Sequence, residues 1–288
     1  MIQLLKVILT LDVFSFITHL IGLHLLAISY QGCRNKQQRL LLVSLSVNEA
    51  LFSLLFSIQE IILLTESESE AHSRNTIGFY IHIITSTGLN MTFYRNMFYI
   101  TIERLVCISC QSQHAKYCTV STVKYLLGAT WMTALVLNIV FCCLYAITGK
   151  HFFEWIFQYI FPVLDIVFLL VACISYTFIL LVVHRSSKRI GSGLKKFTFV
   201  IPLLIVLTFL LFVVLPDLIT VSCEIKQGTL LWDIFHILYR IAMISDALLY
   251  ILICHDVRRM LLQKYTELLT TNIRKSTGLI ASTEEHTF

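Results

Sequence analysis

Only three prolines and ten glycines occur in 288 residues, too few for long linkers or low-complexity segments. Charge is scarce as well. Charged side chains make up 14% of the chain, where a soluble globular domain carries about a quarter. With 57% hydrophobic residues and a mean hydropathy of +0.80, the apolar content exceeds what one soluble core hides. Lipid is the solvent this composition calls for. Short segments alternating apolar and polar residues, which a membrane β-barrel needs, are also missing. The apolar runs are long and unbroken, so helices must satisfy the backbone, and the expected fold class is all-α.

Seven runs are long enough to span, each needing about 20 residues. They lie near Leu4–Ser29, Leu40–Leu64, Ile77–Ser109, Thr119–Ile147, Phe152–His184, Leu194–Val221 and Thr229–Cys254. Polar breaks separate them, among them Gln31 to Lys36, Glu66 to Glu70 and Arg185 to Arg189. The first run is longer than a signal-peptide core, carries Asp12 and lacks a small-x-small cleavage pattern, so it reads as a spanning helix. Residues 1–265 form one seven-span bundle with a surface helix, and 266–288 a disordered polar cytoplasmic tail.

Lysine and arginine set the orientation, because cytoplasmic loops hold them in excess. If odd-numbered connections face inward, only Lys6, Arg74, Lys150 and Lys226 lie outside, Arg95 and Arg240 fall within helices, and the other sixteen of 22 lie inside. The amino terminus is thus expected outside and the carboxyl terminus in the cytosol. The net charge of +5 marks a face apposed to anionic lipid and acidic cytosolic partners, not to nucleic acid.

Several short patterns recur along the spans. The third ends in Thr101-Ile102-Glu103-Arg104-Leu105, and Trp131 follows Arg104 by 27 positions in the fourth. The second holds Leu45-Ser46-Val47-Asn48-Glu49, the fifth Ile174-Ser175-Tyr176, the sixth Pro216, and the seventh Ser245-Asp246-Ala247-Leu248-Leu249-Tyr250. His255 to Leu262 then has the pattern of an amphipathic helix on the inner surface. Together, in order and spacing, these resemble the rhodopsin-like (class A) G-protein-coupled receptors, from the second span into the tail. The resemblance implies that Glu103, Arg104, Tyr176 and Tyr250 serve G-protein coupling. A carboxylate beside Arg104 would hold the guanidinium at rest, and its release would free a planar cation for the carbonyls of a cytosolic partner. It also implies a plasma-membrane receptor for an extracellular small molecule or short peptide. The implied partners are membrane lipid, a heterotrimeric G protein, and arrestin at Ser276, Thr277, Ser282, Thr283 and Thr287. No enzyme activity, cofactor or metal is implied.

The chain departs from that family at several points. No cysteine stands at the outer end of the third span, and only Cys223 lies in an expected outer loop. Cys33, Cys107, Cys110 and Cys118 face the reducing cytosol as free thiols. Val214 replaces the sixth-span tryptophan, and Ala247 the seventh-span proline that introduces a kink. The sequon Asn90-Met91-Thr92 sits inside a helix, out of reach of glycosylation.

Ionisable groups inside spans cost about 2.5–3.5 kcal/mol each on insertion scales, and they pair or line water. Asp233, His236 and Arg240 follow i, i+3, i+7 and face one direction. Arg240 lies about 15 Å below the outer surface at 1.5 Å per residue. It keeps its charge and needs a partner, for which Asp217, Glu60 and Asp165 are candidates. Either that pair is structural, or the stripe lines an outward cavity in which Arg240 anchors an anionic ligand group. The candidate ligand pocket comprises Glu60, Ser86, Asn90, Asp217, Asp233, His236 and Arg240. By the family's positions, Ser86 stands where amine receptors place aspartate and Arg240 where opsins carry the retinal lysine, which disfavours both ligands. Glu49 and Asp246 are expected to meet in mid-membrane and share a proton or hold a cation, the proton being favoured.

Two other functions compete. A metal-dependent membrane hydrolase needs His and carboxylate ligands on facing helices, but His19 and His24 are five apart, off the i, i+4 spacing, and no hydrolase motif is present. A non-signalling seven-helix partner or trafficking protein fits the altered Tyr, Trp and Pro positions.

Overall fold

The computed structural model describes residues 2–28, 36–65, 77–78, 80–81, 83–109, 114, 116–148, 210–223 and 229–253, with isolated positions from 156 to 208 and from 257 to 270. The described residues are helical, and none forms a strand. Among the described residues, three helices are long and apolar enough to cross a membrane, over Gln3–Ile28, Lys36–Ile62 and Val120–Thr148, which marks a membrane protein.

The first two helices are α1 (Ile2–Ile28) and α2 (Lys36–Leu64). A π-helical turn, Ile84–Leu89, leads into α3 (Asn90–Ser109), and α4 covers Val120–Thr148. A second π-helical turn, Leu210–Val214, leads into the short α5 (Leu215–Ser222), and α6 covers Leu230–Ile253. Helices α1, α2, α3, α4 and α6 fall on the first, second, third, fourth and seventh expected spans. Of the fifth expected span only scattered positions are among the described residues, and the first half of the sixth lies largely outside them.

Local chemistry accounts for the ends and the irregular turns. The Thr119 hydroxyl accepts the Thr122 backbone N–H at 3.1 Å and so caps α4. Asp233 lies in the first turn of α6, where a carboxylate suits the positive end of the helix. Pro216 has no N–H for the Phe212 carbonyl, and the turn before it opens to π geometry. Around the other π turn, Thr85 and Thr87 donate to the Ile81 and Ile83 carbonyls at 3.0 and 2.7 Å. Such back-bonding competes with the helical ladder and favours a wider turn. Thr10, Thr18 and Thr133 use the same bond to satisfy hydroxyls on exposed faces.

Helix α1 packs along α2 and against α6; α2 also meets α3 and α4, and α4 lies against the first π turn. An inner apolar cluster joins Leu26, Leu41, Leu42, Leu45, Phe93, Tyr94 and Val123 with Val257 from beyond α6. Val257 is fully buried while Arg259 and residues 262–267 are exposed, an arrangement with one face down on the bundle. An outer cluster gathers Phe52, Leu89 and Met243.

One boundary differs from expectation. Arg39, assigned to the first inner loop, lies in the first turn of α2 and is 2% exposed. The helix begins four residues earlier than the apolar run, since Lys36 to Arg39 contribute a full turn of good helix formers.

Candidate functional site

Three helices carry polar side chains into their common seam. On α1, Asp12, Ser15 and His19 follow i, i+3, i+7 and all are fully buried. On α2, Ser46, Glu49, Ser53, Ser57 and Glu60 form the facing row, also buried. Helix α6 adds His236, Arg240, the Met243 carbonyl and Asp246. These groups make two tiers about 10 Å apart, the seven residues from Asp12 to His19 at 1.5 Å each. Between the tiers, Ser53 donates to the Ser15 hydroxyl at 2.8 Å.

The outer tier centres on Arg240. Its Nε donates to Asp12 Oδ1 at 3.2 Å, and one Nη lies 3.8 Å from Glu60 Oε1. The other Nη stands 2.9 Å from His236 Nδ1 and 3.3 Å from the His236 carbonyl. A guanidinium has no acceptor, so Nδ1 of His236 takes the bond and that ring is neutral in this arrangement. The Phe56 ring covers the guanidinium face, its centroid 4.6 Å from Cζ. Every nitrogen of Arg240 is therefore engaged, and Asp12 Oδ2 and Glu60 Oε2 are left as buried oxygens without a hydrogen bond among the described residues.

This geometry answers which carboxylate faces Arg240. Among the described carboxylates Glu60 does, at 3.8 Å, and Asp12, which sequence reasoning did not put forward, is nearer at 3.2 Å. Asp165 and the Asp217 side chain lie outside the described residues. The signal for Asp12 was present: its i, i+3, i+7 stripe with Ser15 and His19 repeats the spacing of Asp233, His236 and Arg240. What was missing was the knowledge that α1 borders α6, a contact across 228 residues of chain.

The inner tier holds Glu49 on α2 and Asp246 on α6, both buried. A third member, His19, was not assigned to this site. Its Nε2 lies 2.9 Å from Glu49 Oε2 and 3.1 Å from the Met243 carbonyl, and its Nδ1 lies 3.2 Å from the Ser46 hydroxyl. The Met243 carbonyl can only accept, so Nε2 carries the proton of that bond, with Glu49 Oε2 beside it. His19 thus brings an ionisable nitrogen base to a place where two carboxylates meet.

Near the C-terminal end of α3, Glu103 is buried and its Oε1 meets His114 Nε2 at 3.0 Å. Arg104 lies in α3 and Tyr250 in α6, but their side chains, like Tyr176 as a whole, lie outside the described residues. Behind this end, the Ser44 hydroxyl accepts Asn96 Nδ2 at 2.9 Å and Trp131 Nε1 at 3.0 Å, tying α2, α3 and α4 together.

Of the remaining pocket residues, Asn90 is half-buried at the start of α3, and Asp233 is half-buried two turns outward of Arg240. Ser86 belongs to the π turn, with its side chain outside the described residues. The Thr92 hydroxyl of the sequon is buried on the Gly88 carbonyl at 2.8 Å. Compared with known protein families and with curated proteins, the chain matches none.

Proposed function

We propose that the chain is a seven-span receptor of the rhodopsin-like G-protein-coupled class. It lies in the plasma membrane with its amino terminus outside and its carboxyl terminus in the cytosol. The observation that carries the reading is the inner end of α3, where Glu103 is buried next to Arg104 and engaged by His114. The tryptophan 27 residues on, hydrogen-bonded to Ser44, supports it, and so does the contact of α1 with α6, which a closed bundle requires.

In this reading a small molecule or short peptide enters from outside between the third, fifth, sixth and seventh spans and meets Asn90, Asp233 and His236. Arg240, held by Asp12 and Glu60, shapes the pocket floor. Ligand binding favours the state in which the inner ends of the fifth and sixth spans move apart, and Arg104 becomes available to a heterotrimeric G protein. Arrestin meets the tail. The test is a ligand screen in cells expressing a promiscuous G protein, followed by Arg104→Ala. Signalling is expected to vanish while surface expression stays normal, and unchanged signalling in that variant overturns the assignment.

Val214 and Ala247, at the sites of the family's tryptophan and proline, favour a second reading as a non-signalling membrane partner. On that reading no ligand in the screen raises G-protein activity, and the protein instead changes the surface level of a co-expressed receptor.

A further inference from the structure

The surroundings of His19 define what each ring nitrogen carries. The Met243 carbonyl, 3.1 Å from Nε2, can only accept, so Nε2 bears a proton whenever this contact is made. Nδ1 faces the Ser46 hydroxyl at 3.2 Å, and a hydroxyl both donates and accepts. That hydroxyl has a second acceptor within reach, the His19 backbone carbonyl at 3.4 Å. With its O–H turned to Nδ1, the ring is neutral. With its O–H turned to the carbonyl, its lone pairs face Nδ1 and satisfy a second ring proton. Only one hydrogen rotates; no heavy atom has to move.

We propose that His19 and Ser46 form a proton-binding site at the junction of α1, α2 and α6, with the ligand a proton taken up at His19 Nδ1. Uptake forms one N–H bond, raises the charge of the ring by one, and replaces the Ser46 O–H···Nδ1 hydrogen bond by one from Nδ1–H to the Ser46 oxygen. Glu49 Oε2, 2.9 Å from Nε2, supplies the countercharge for the charged ring. Among the described residues, the titratable groups around the ring include Glu49 from α2 and, beside Glu49, Asp246 from α6. The next charged groups on these helices, Asp12, Glu60 and Arg240, form the outer tier about 10 Å away. On α1 itself, His24 is exposed on another face.

Proton occupancy therefore alters the charge at the point where α1 holds α6, because the bond to the Met243 carbonyl becomes charge-assisted. Shared acid–base chemistry between Glu49 and Asp246 alone would leave His19 a spectator. The geometry instead sets the imidazole directly against Glu49, so that the chemistry of the site includes His19. This site stands whether or not the chain signals.

The experiment is nitrogen NMR on the full chain, labelled with nitrogen-15 histidine and held in lipid nanodiscs, between about pH 5 and 8. His19 is assigned among ten histidines by the signal lost in His19→Gln. The expected result is a ring whose Nε2 stays protonated throughout while Nδ1 gains a proton as pH falls. Glu49→Gln is expected to weaken that uptake by about tenfold or more, the effect of removing an opposite charge at this distance. If His19→Gln does not fold, single His→Gln variants at the other nine histidines assign their signals, and the signal left over is His19. A His19 ring in one protonation state across the range, or one whose titration ignores Glu49→Gln, overturns the proposal.

Discussion

Helices α2 and α4 have the same length, 29 residues, and both are apolar enough to cross a membrane, yet they sit in the molecule in opposite ways. In their most apolar stretches, 61% of α2 is buried and only 11% of α4. The buried part of α2 is largely polar: Ser44, Ser46, Asn48, Glu49, Ser53, Ser57 and Glu60. On α4 the buried residues are Val123, Thr130 and Ala134, while Met132, Leu135, Val136 and Ile139 point outward. In water the apolar face of a helix turns inward. In lipid, tails solvate leucine as well as any core does, so apolar side chains lose their directing force. Polar groups take it over, because each one facing lipid is left without a partner.

The largest effect is expected where that directing force is greatest. Arg240→Met leaves Asp12 and Glu60 as buried carboxylates with no cation, at a cost of about 3–5 kcal/mol. Thermal unfolding in detergent measures it, and poor expression is the extreme outcome. The double variant Asp12→Asn with Arg240→Met should recover part of the loss, since one stranded charge is gone. If Arg240→Met is as stable as the parent, the outer tier does not hold the three helices together.

The same contrast explains how much could be read in advance. Length and continuity of the apolar runs placed α1, α2, α4 and α6 to within a few residues, because backbone satisfaction in lipid depends on composition and not on neighbours. The stripe of Asp233, His236 and Arg240 was legible for the same reason, being a property of one helix. The pairing of stripes was not. Asp12 and His19 bear on Arg240 and the Met243 carbonyl across more than 220 residues, and only the packing of α1 on α6 brings them together. The π turn at Ile84–Leu89 was illegible too, since threonines that back-bond also sit in ordinary α-helices, and so was the close approach of α4 to it.

That approach supplies the second prediction. The Thr87 hydroxyl lies 2.8 Å from the Asn138 side-chain amide, and a Cβ placed on Gly88 would run into the Asn138 side chain. Gly88→Ala is therefore expected to cost about 1–3 kcal/mol through overpacking. Adding Asn138→Ala to that variant should relieve part of it. No difference between parent and Gly88→Ala would mean that α4 stands further from the turn. A smaller loss is expected for Ser44→Ala, which removes the acceptor shared by Asn96 and Trp131. Hydrogen bonds between membrane helices average about 0.6 kcal/mol, so two amount to about 1 kcal/mol. The intrinsic fluorescence of Trp131 should change along with the unfolding temperature.

The smallest effect belongs to the outward face of α4. Ile139→Ala exchanges one apolar side chain for another where the surroundings are lipid, and the expected change in stability is within about 0.5 kcal/mol. This is the sharpest test of the contrast between the two helices, because an equivalent truncation in α2, Leu45→Ala, removes a fully buried side chain and should cost about 2–5 kcal/mol. Equal losses at the two positions would show that the exposed face of α4 packs on protein in the membrane, either against a part of the chain beyond the described helices or against a second molecule. Cross-linking through an introduced cysteine at position 139 would then tell these apart, since only the second joins two chains.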